Sequence, residues 1–245
     1  MSLAEYSLIG VAAFFISTIA GLSGYGAGLL MPFVLIPIMG PQGVVPILAV
    51  AALFNNASRL AAFRDRIYWQ RAFQLMITAI PFCLLGASAY TILSGQGVML
   101  LIGIVLLVII PARRLLRDRP IGTSRAGALA AGAVYGVLIG GATGAGVILI
   151  PILLGMGLRG RSVIATDSLV SFVVGIFKVA TFQSFGFLPW DWWLCALVIG
   201  ISGVPGAFVA RWLSDRMAVH LQDTILDVGV AIGGGVLVLR GLGYF

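Results

Sequence analysis

The chain has 245 residues, of which 60% are hydrophobic and only 9% are charged, and its mean hydropathy is +1.12. A water-soluble domain of this length does not tolerate so apolar a surface, so the composition excludes a soluble enzyme and predicts a polytopic membrane protein. The net charge of +7 comes from arginines in short polar breaks between apolar stretches. Such a pattern sets orientation in a membrane and does not indicate nucleic-acid binding.

Hydropathy divides the chain into eight apolar segments, at about 20 residues for each crossing. They are 6–39, 44–63, 72–93, 98–116, 126–156, 163–185, 192–213 and 224–239. The first and fifth segments are over 30 residues long and have glycine-rich centres, which are followed by Pro32 and Pro151. Because glycine weakens a helix and proline removes one of its hydrogen bonds, each is predicted to be two half-helices with an irregular joint.

The two glycine-rich centres belong to an internal repeat. An offset of 119 or 120 residues pairs Gly21 with Gly141, Gly24 with Gly144, Gly26 with Gly146, Pro32 with Pro151 and Arg59 with Lys178. We therefore predict a first repeat at 1–112, a basic cytoplasmic linker at 113–125 and a second repeat at 126–245.

The arginines predict how the two repeats are oriented. If all eight segments crossed the bilayer, arginine-rich breaks would lie on both sides, contrary to the positive-inside rule. If the two glycine-broken segments are instead re-entrant hairpins, these breaks all become cytoplasmic, and Arg240 is the one exception. Each repeat is then a hairpin plus three transmembrane helices, and because three is odd the repeats are inverted. Eight plain crossings are the alternative.

Two motifs and their placement carry a family resemblance. The string GLSGYGAGLLMP at 21–32 and its echo GATGAGVILIP at 141–151, together with the basic residue late in the following helix, resemble the sulfite exporter family known as TauE/SafE. The resemblance covers essentially the whole chain. It implies a multi-pass secondary permease for sulfite, organosulfonates or a related small sulfur-containing anion in a bacterial inner membrane, without enzymatic activity. The expected partners are this anion and the lipid bilayer, with no nucleic acid, cofactor or metal, and homo-oligomerisation is left open.

The broken helices are the first candidate site. The free backbone N–H groups and the positive dipole end of a half-helix bind anions, and glycine lets an anion reach the amides. The candidate substrate-binding residues at the two centres are Ser23, Gly24, Gly26, Thr143, Gly144 and Gly146. The alternative is that the glycines only allow close helix packing, which is the role expected of Gly132, Gly136, Gly233, Gly234 and Gly235.

The helices after the hairpins supply the second candidate set. Asn55 and Arg59 share a face of the first of these helices, and Asp167, Ser171 and Lys178 recur on one side of the second, which is typical of a lined path. The candidate substrate-binding residues are Asn55, Asn56 and Arg59 on one helix and Ser168, Ser171 and Lys178 on the other, with Asp167 as a candidate for proton coupling. Snorkelling to the interface is the alternative for Arg59 and Lys178. For Asp167 the alternatives are a helix cap or an ion pair with Arg159 or Arg161.

Other functions stay open from the sequence. Residues Gly21 to Gly24 form the G-x-S-G string of rhomboid proteases, but the only histidine, His220, lies in a polar break that is poorly placed to serve as the base for Ser23. An anion channel is the main alternative to a transporter, because a static pattern does not distinguish continuous from alternating access. A structural or receptor protein without transport activity is a further alternative.

Overall fold

A computed structural model describes residues 2–22, 27–116, 122, 124–214 and 219–244. This part of the chain is helical and contains no strand, which confirms the predicted all-α membrane fold. Its helices are α1 (Leu3–Leu22), α2 (Pro32–Met39), α3 (Val44–Phe63), α4 (Trp69–Thr91), α5 (Gly95–Leu116), α6 (Arg125–Gly141), α7 (Leu149–Gly155), α8 (Arg161–Ser184), α9 (Trp190–Ser214) and α10 (Val219–Gly241).

Several of these helices match the thickness of a bilayer. Among the described residues, four helical stretches are long and apolar enough to cross a membrane: Pro41–Arg66, Trp69–Thr91, Gly95–Ala112 and Arg161–Ser184. Shorter apolar helical stretches lie at Leu3–Ile19, Arg125–Gly141 and Ala145–Gly155. The shorter stretches fall in the two glycine-rich segments, which therefore differ from plain spans.

Both glycine-rich segments are broken helices, as the sequence predicts. In the second, α6 ends at Gly141, Gly144 has a φ of 76° in the left-handed region that favours glycine, and the chain resumes as the 3₁₀ turn Ala145–Ile148 and α7. In the first, the 3₁₀ turn Ala27–Leu29 precedes α2. The eight residues of α2 and the seven of α7 span about 12 and 10 Å, which is too short to cross a membrane.

Glycines bring α6 and α4 into backbone contact. A Cβ added at Gly132, Gly136 or Gly140 would collide with a carbonyl oxygen of α4, at Leu75, Ala79 and Cys83 respectively. Because the numbers rise together, the two helices run in the same direction. The expected packing role of Gly132 and Gly136 is confirmed, as is that of Gly233 against the Phe33 ring and of Gly234 against Leu107. It is wrong for Gly235, where a Cβ would meet nothing within 4 Å.

The arginine-rich connections gather at one end of the bundle. The backbone N–H of Tyr68 donates to Oγ1 of Thr166 at 3.1 Å, which places the start of α4 beside the first turns of α8. A Cβ on Gly122 would lie 3.0 Å from Cγ of Met156, so the chain just before α6 and the chain just after α7 are also neighbours. We name this the arginine end; among the described residues it comprises 64–68, 122, 124–125 and 156–161. The second broken segment thus begins and ends at the same end of the bundle.

The first broken segment begins and ends at the opposite end, which comprises residues 40–43, 93–97 and 188–192. The hydroxyl of Tyr6, near the start of α1, donates to the carbonyl of Asp191 at 3.3 Å. A Cβ on Gly43, just after α2, would lie 2.9 Å from the Cη2 atom of Trp192. Both ends of this segment therefore contact the start of α9.

Helix pairs also recur between the two halves. The helix α1 packs along α9 and α4 packs along α6, while α3 packs on α8 and α5 on α10. Under the sequence alignment of the halves, α1 corresponds to α6 and α4 to α9, so the first two pairs are equivalent.

The two ends predict the accessibility of engineered cysteines. Gln42→Cys and Gln96→Cys lie at the opposite end and should react from outside the cell with a membrane-impermeant thiol reagent. Arg161→Cys lies at the arginine end and should react only after the inside is exposed, because arginine-rich segments stay in the cytoplasm. Labelling of Arg161→Cys from outside in intact cells contradicts this arrangement.

Candidate functional site

The two glycine-rich breaks meet inside the bundle. The hydroxyl of Thr143 donates to the carbonyl of Gly28 at 2.7 Å, and the Thr143 residue is only 5% exposed. A Cβ on Gly28 would lie 3.3 Å from the amide nitrogen of Gly144. The break of one half therefore touches the break of the other, and we name residues 27–29 and 142–148 the junction.

The junction presents backbone donors from its second half. Within the described residues, the backbone N–H groups of Thr143, Gly144, Ala145 and Gly146 have no hydrogen-bond acceptor. They precede the 3₁₀ turn, whose first internal bond runs from the N–H of Val147 to the carbonyl of Gly144. Unpaired amides at the start of a helical turn favour an anion.

Lys178 donates hydrogen bonds to the carbonyl groups that precede the same break. Its ammonium group donates to the carbonyls of Ile139 and Ala142, at 3.1 Å for Ala142, and lies 5.9 Å from the centre of the Phe182 ring. These carbonyls belong to the C-terminal turn of α6, where a cation is favoured by the helix dipole. Lys178 is 4% exposed, so the snorkelling alternative is wrong for this residue. Two carbonyls occupy two of the three N–H donors of an ammonium group.

Arg59 and Asp167 form an ion pair between the two halves. The guanidinium of Arg59 on α3 lies 2.9 Å from the carboxylate of Asp167 on α8. The Arg59 side chain is 31% exposed and the Asp167 side chain 5%. Both alternatives for Asp167 are wrong: it lies in the second turn of α8 and so is not a cap, and its partner is neither Arg159 nor Arg161. Arg159 instead donates to carbonyls of Leu154 and Leu158.

The remaining predicted residues lie at three different places. The hydroxyl of Ser171 lies 3.1 Å from that of Tyr135 on α6, so this pair joins α6 to α8. The hydroxyl of Ser168 donates within its own helix, to the carbonyl of Ile164. On α3, Asn55 is exposed and Asn56 half-buried. The structure thus groups Thr143, Gly144, Gly146 and Lys178 around the junction, and Arg59 with Asp167 nearer the arginine end.

Part of the predicted site lies outside the described residues. Ser23, Gly24 and Gly26 belong to 23–26, for which the structure gives no placement. The backbone of His220 lies in α10, but its side chain is not described. The candidate protease serine therefore lies outside the described residues.

A known protein family shares the sequence pattern of this chain. A family model described as sulfite exporter TauE/SafE matches residues 9–238. The chain belongs to the sulfite exporter TauE/SafE family. No curated protein and no solved structure matches the chain. TauE/SafE proteins are membrane transporters rather than enzymes, so membership makes this chain a multi-pass membrane protein of a transporter family.

The TauE/SafE fold of this chain contains buried polar residues that the sequence reading missed. Tyr135 is fully buried and bonds Ser171, and Asp227 on α10 is 7% exposed. A tyrosine in a helix of small apolar residues was a usable signal, because a buried hydroxyl needs a partner. Gly28 was missed as well, because nothing in the sequence shows that its carbonyl faces the other half.

A cavity of about 200 Å³ lies between α4, α5 and α6 of this TauE/SafE protein. Its walls include Gly86, Leu101, Val105 and Val137, and it reaches the junction at Ala142. A lining of this kind offers an anion few donors, so the cavity is not a candidate for the transport site.

The contacts of Lys178 predict different results for two substitutions. Lys178→Met leaves the half-buried carbonyl of Ile139 and the buried carbonyl of Ala142 without this donor, and an unsatisfied buried group costs about 1–3 kcal/mol. We expect a lower melting temperature in detergent and loss of transport. Lys178→Arg keeps the charge and should retain part of the thermal stability and part of the transport activity, limited by the different shape of the guanidinium group.

Arg161→Met on the same helix is the matched control, because Arg161 is exposed and removing its charge leaves no buried acceptor behind. The melting temperature in detergent and the uptake in proteoliposomes are measured for all three variants. Wild-type stability and transport in Lys178→Met would remove the lysine from the site.

Proposed function

We propose that this protein is a secondary transporter for sulfite, an organosulfonate or a related small sulfur-containing anion in a bacterial inner membrane. Family membership supports the class of transporter, and the junction supports the class of solute. The single observation that carries the proposal is the contact between the two breaks, beside one buried lysine and four amides that have no acceptor in the described part of the chain.

The proposed site holds an oxyanion at the amides of 143–146. Their backbone dipoles and the ammonium of Lys178 supply positive potential, and the bonds of the ammonium to described residues leave one of its three donors for a ligand. Gly146 leaves space for this approach, because a Cβ there would meet only the Cδ1 atom of Ile139, at 3.9 Å. Within the first half we propose Ser23, Gly24 and Gly26 as the equivalent contribution.

The proposed path uses the polar residues of α3 and α8. Asn55, Asn56 and Arg59 line it on α3, and Ser168 and Ser171 on α8. Arg59 lies near the end of α3 at the arginine end, whereas Lys178 lies in the last two turns of α8, which runs the other way. The two basic residues are therefore placed at different depths along the path.

We also propose that the chain consists of two inverted repeats, at 1–112 and 126–245, joined by a cytoplasmic linker at 113–125. The equivalent helix pairs and the two broken segments that start from different ends support this division. An inverted pair of repeats with broken helices at their interface suits alternating access around a central site. Transport in this scheme needs no nucleotide site.

A glycine substitution at the junction tests the proposed site. Gly146→Ala adds one methyl group over the amides without a collision, so the protein should fold and reach the membrane at the wild-type level. Because the methyl group stands between an anion and the backbone donors, uptake of radiolabelled sulfite or methanesulfonate by proteoliposomes should fall by about tenfold or more.

The matched control is Gly235→Ala, where a Cβ would also meet nothing close. It should transport like the wild type. Gly144 is less informative, because its positive φ and the nearby Leu29 side chain make any substitution there disruptive to the fold. Normal uptake by Gly146→Ala would contradict anion binding at these amides. Counterflow of labelled against unlabelled anion separates a transporter from a channel.

A further inference from the structure

The Arg59–Asp167 ion pair has features of a site where one charge can change partners, and not only those of a structural contact between helices. It joins α3 of the first half to α8 of the second at 2.9 Å. The other ion pair among the described residues, Arg66 with Asp65, joins sequence neighbours at the surface. Burying a carboxylate requires a partner for its charge, and Asp167 is 5% exposed with Arg59 as that partner.

The arginine is the accessible member of the pair. Its side chain is 31% exposed, six times the exposed fraction of Asp167 (31%/5%). Asn55, four residues before it, is also exposed and shares its face of α3, and Asn56, three residues before it, is half-buried. A polar, accessible face therefore leads to a guanidinium whose partner is buried.

A guanidinium binds carboxylates and tetrahedral oxyanions such as phosphate through the same fork of N–H donors. An anion that arrives along the exposed face of α3 therefore competes with Asp167 for Arg59. If it succeeds, Asp167 is left buried without a countercharge, a state that is too costly to persist. A proton on the carboxylate removes that charge.

We propose that the Arg59–Asp167 pair is the coupling site of transport: a small oxyanion takes Arg59 from Asp167, and Asp167 binds one proton. The proposal rests on the proposed function of anion transport. Before the exchange the site holds one guanidinium cation and one carboxylate anion. After it, the guanidinium is paired with the solute and the carboxyl group is neutral, so one anion and one proton have entered together. Release on the other side of the membrane reverses both steps.

The surroundings of Asp167 leave Arg59 as its direct charge partner among the described residues. The helix α6 contributes the hydroxyl of Tyr135, which bonds Ser171 one turn away from Asp167. The segment after α3 contributes Asp65 and Arg66, which pair with each other. Four other charged groups lie on these elements: Arg64 after α3, Arg71 on α4, and Arg161 and Lys178 on α8. Arg71 bonds Gln74, and Lys178 bonds the end of α6. None of these bonds Asp167 within the described residues.

The test compares wild type with Asp167→Asn in proteoliposomes that contain a pH-sensitive dye. Methanesulfonate is the probe, because it stays ionised and carries no proton of its own. In the wild type, an inward anion gradient should acidify the lumen by about one proton for each anion taken up. In Asp167→Asn, uptake should proceed without acidification and should become sensitive to membrane potential. Asp65→Asn, a surface carboxylate, is the matched control and should couple like the wild type.

A binding measurement keeps the test decisive if Asp167→Asn does not complete the transport cycle. Removing the competing carboxylate should lower the methanesulfonate concentration for half-maximal thermal stabilisation by roughly tenfold, since a charge-assisted hydrogen bond contributes on that order. The double variant Arg59→Gln/Asp167→Asn should lose this gain. An unchanged proton-to-anion ratio in an active Asp167→Asn, or an unchanged half-maximal concentration in an inactive one, overturns the coupling role alone. Absence of any methanesulfonate or sulfite uptake by the wild type removes the proposed function as well.

Discussion

Inside a bilayer, every backbone N–H and C=O group must find its partner within the protein or in a water-filled cavity. A helix broken at membrane depth therefore needs neighbours that complete its hydrogen bonds, and the break after α6 has them on one side only. The ammonium of Lys178 takes the carbonyls of Ile139 and Ala142, and the hydroxyl of Thr143 donates across to the other half. The amides that follow have no acceptor in the described chain. This asymmetry, with carbonyls paired and amides free, suits an anion and not a cation.

The close approach of α4 and α6 gives this break a fixed position. Three glycines of α6 lie against carbonyls of α4, and α4 also packs on α8, which carries Lys178. In membranes the attraction between helices comes mainly from such tight contact, because lipid tails are as apolar as leucine. The lysine and the end of α6 are consequently held by the same neighbouring helix. A buried ammonium bonded to a helix end is stable only under that constraint, because its desolvation has to be offset by well-placed acceptors.

The sequence predicted the membrane class, the two broken helices and the packing role of Gly132 and Gly136, because hydropathy and glycine content are local properties. It also identified Lys178, Arg59 and Asp167 as unusual, since charge in an apolar segment is visible without a structure. The sequence did not predict the bonding partners of Asp167 and Lys178. For Asp167 the ion-pair alternative named only nearby arginines, Arg159 and Arg161, yet its partner comes from the other half. Lys178 was expected to face a path or the interface, but it bonds the end of α6. Both partners depend on how α3, α6 and α8 pack, which no local pattern encodes.

The position of the bound anion is located most directly by a heavy atom that the anion carries. A structure of the protein with a small bromine-bearing sulfonate, determined at a wavelength where bromine scatters anomalously, reports that position without relying on activity. We expect a peak beside the junction, with the sulfonate oxygens within hydrogen-bond distance of the amides of Thr143 to Gly146. A peak confined to the surface arginines, with an empty junction at saturating sulfonate, would contradict it.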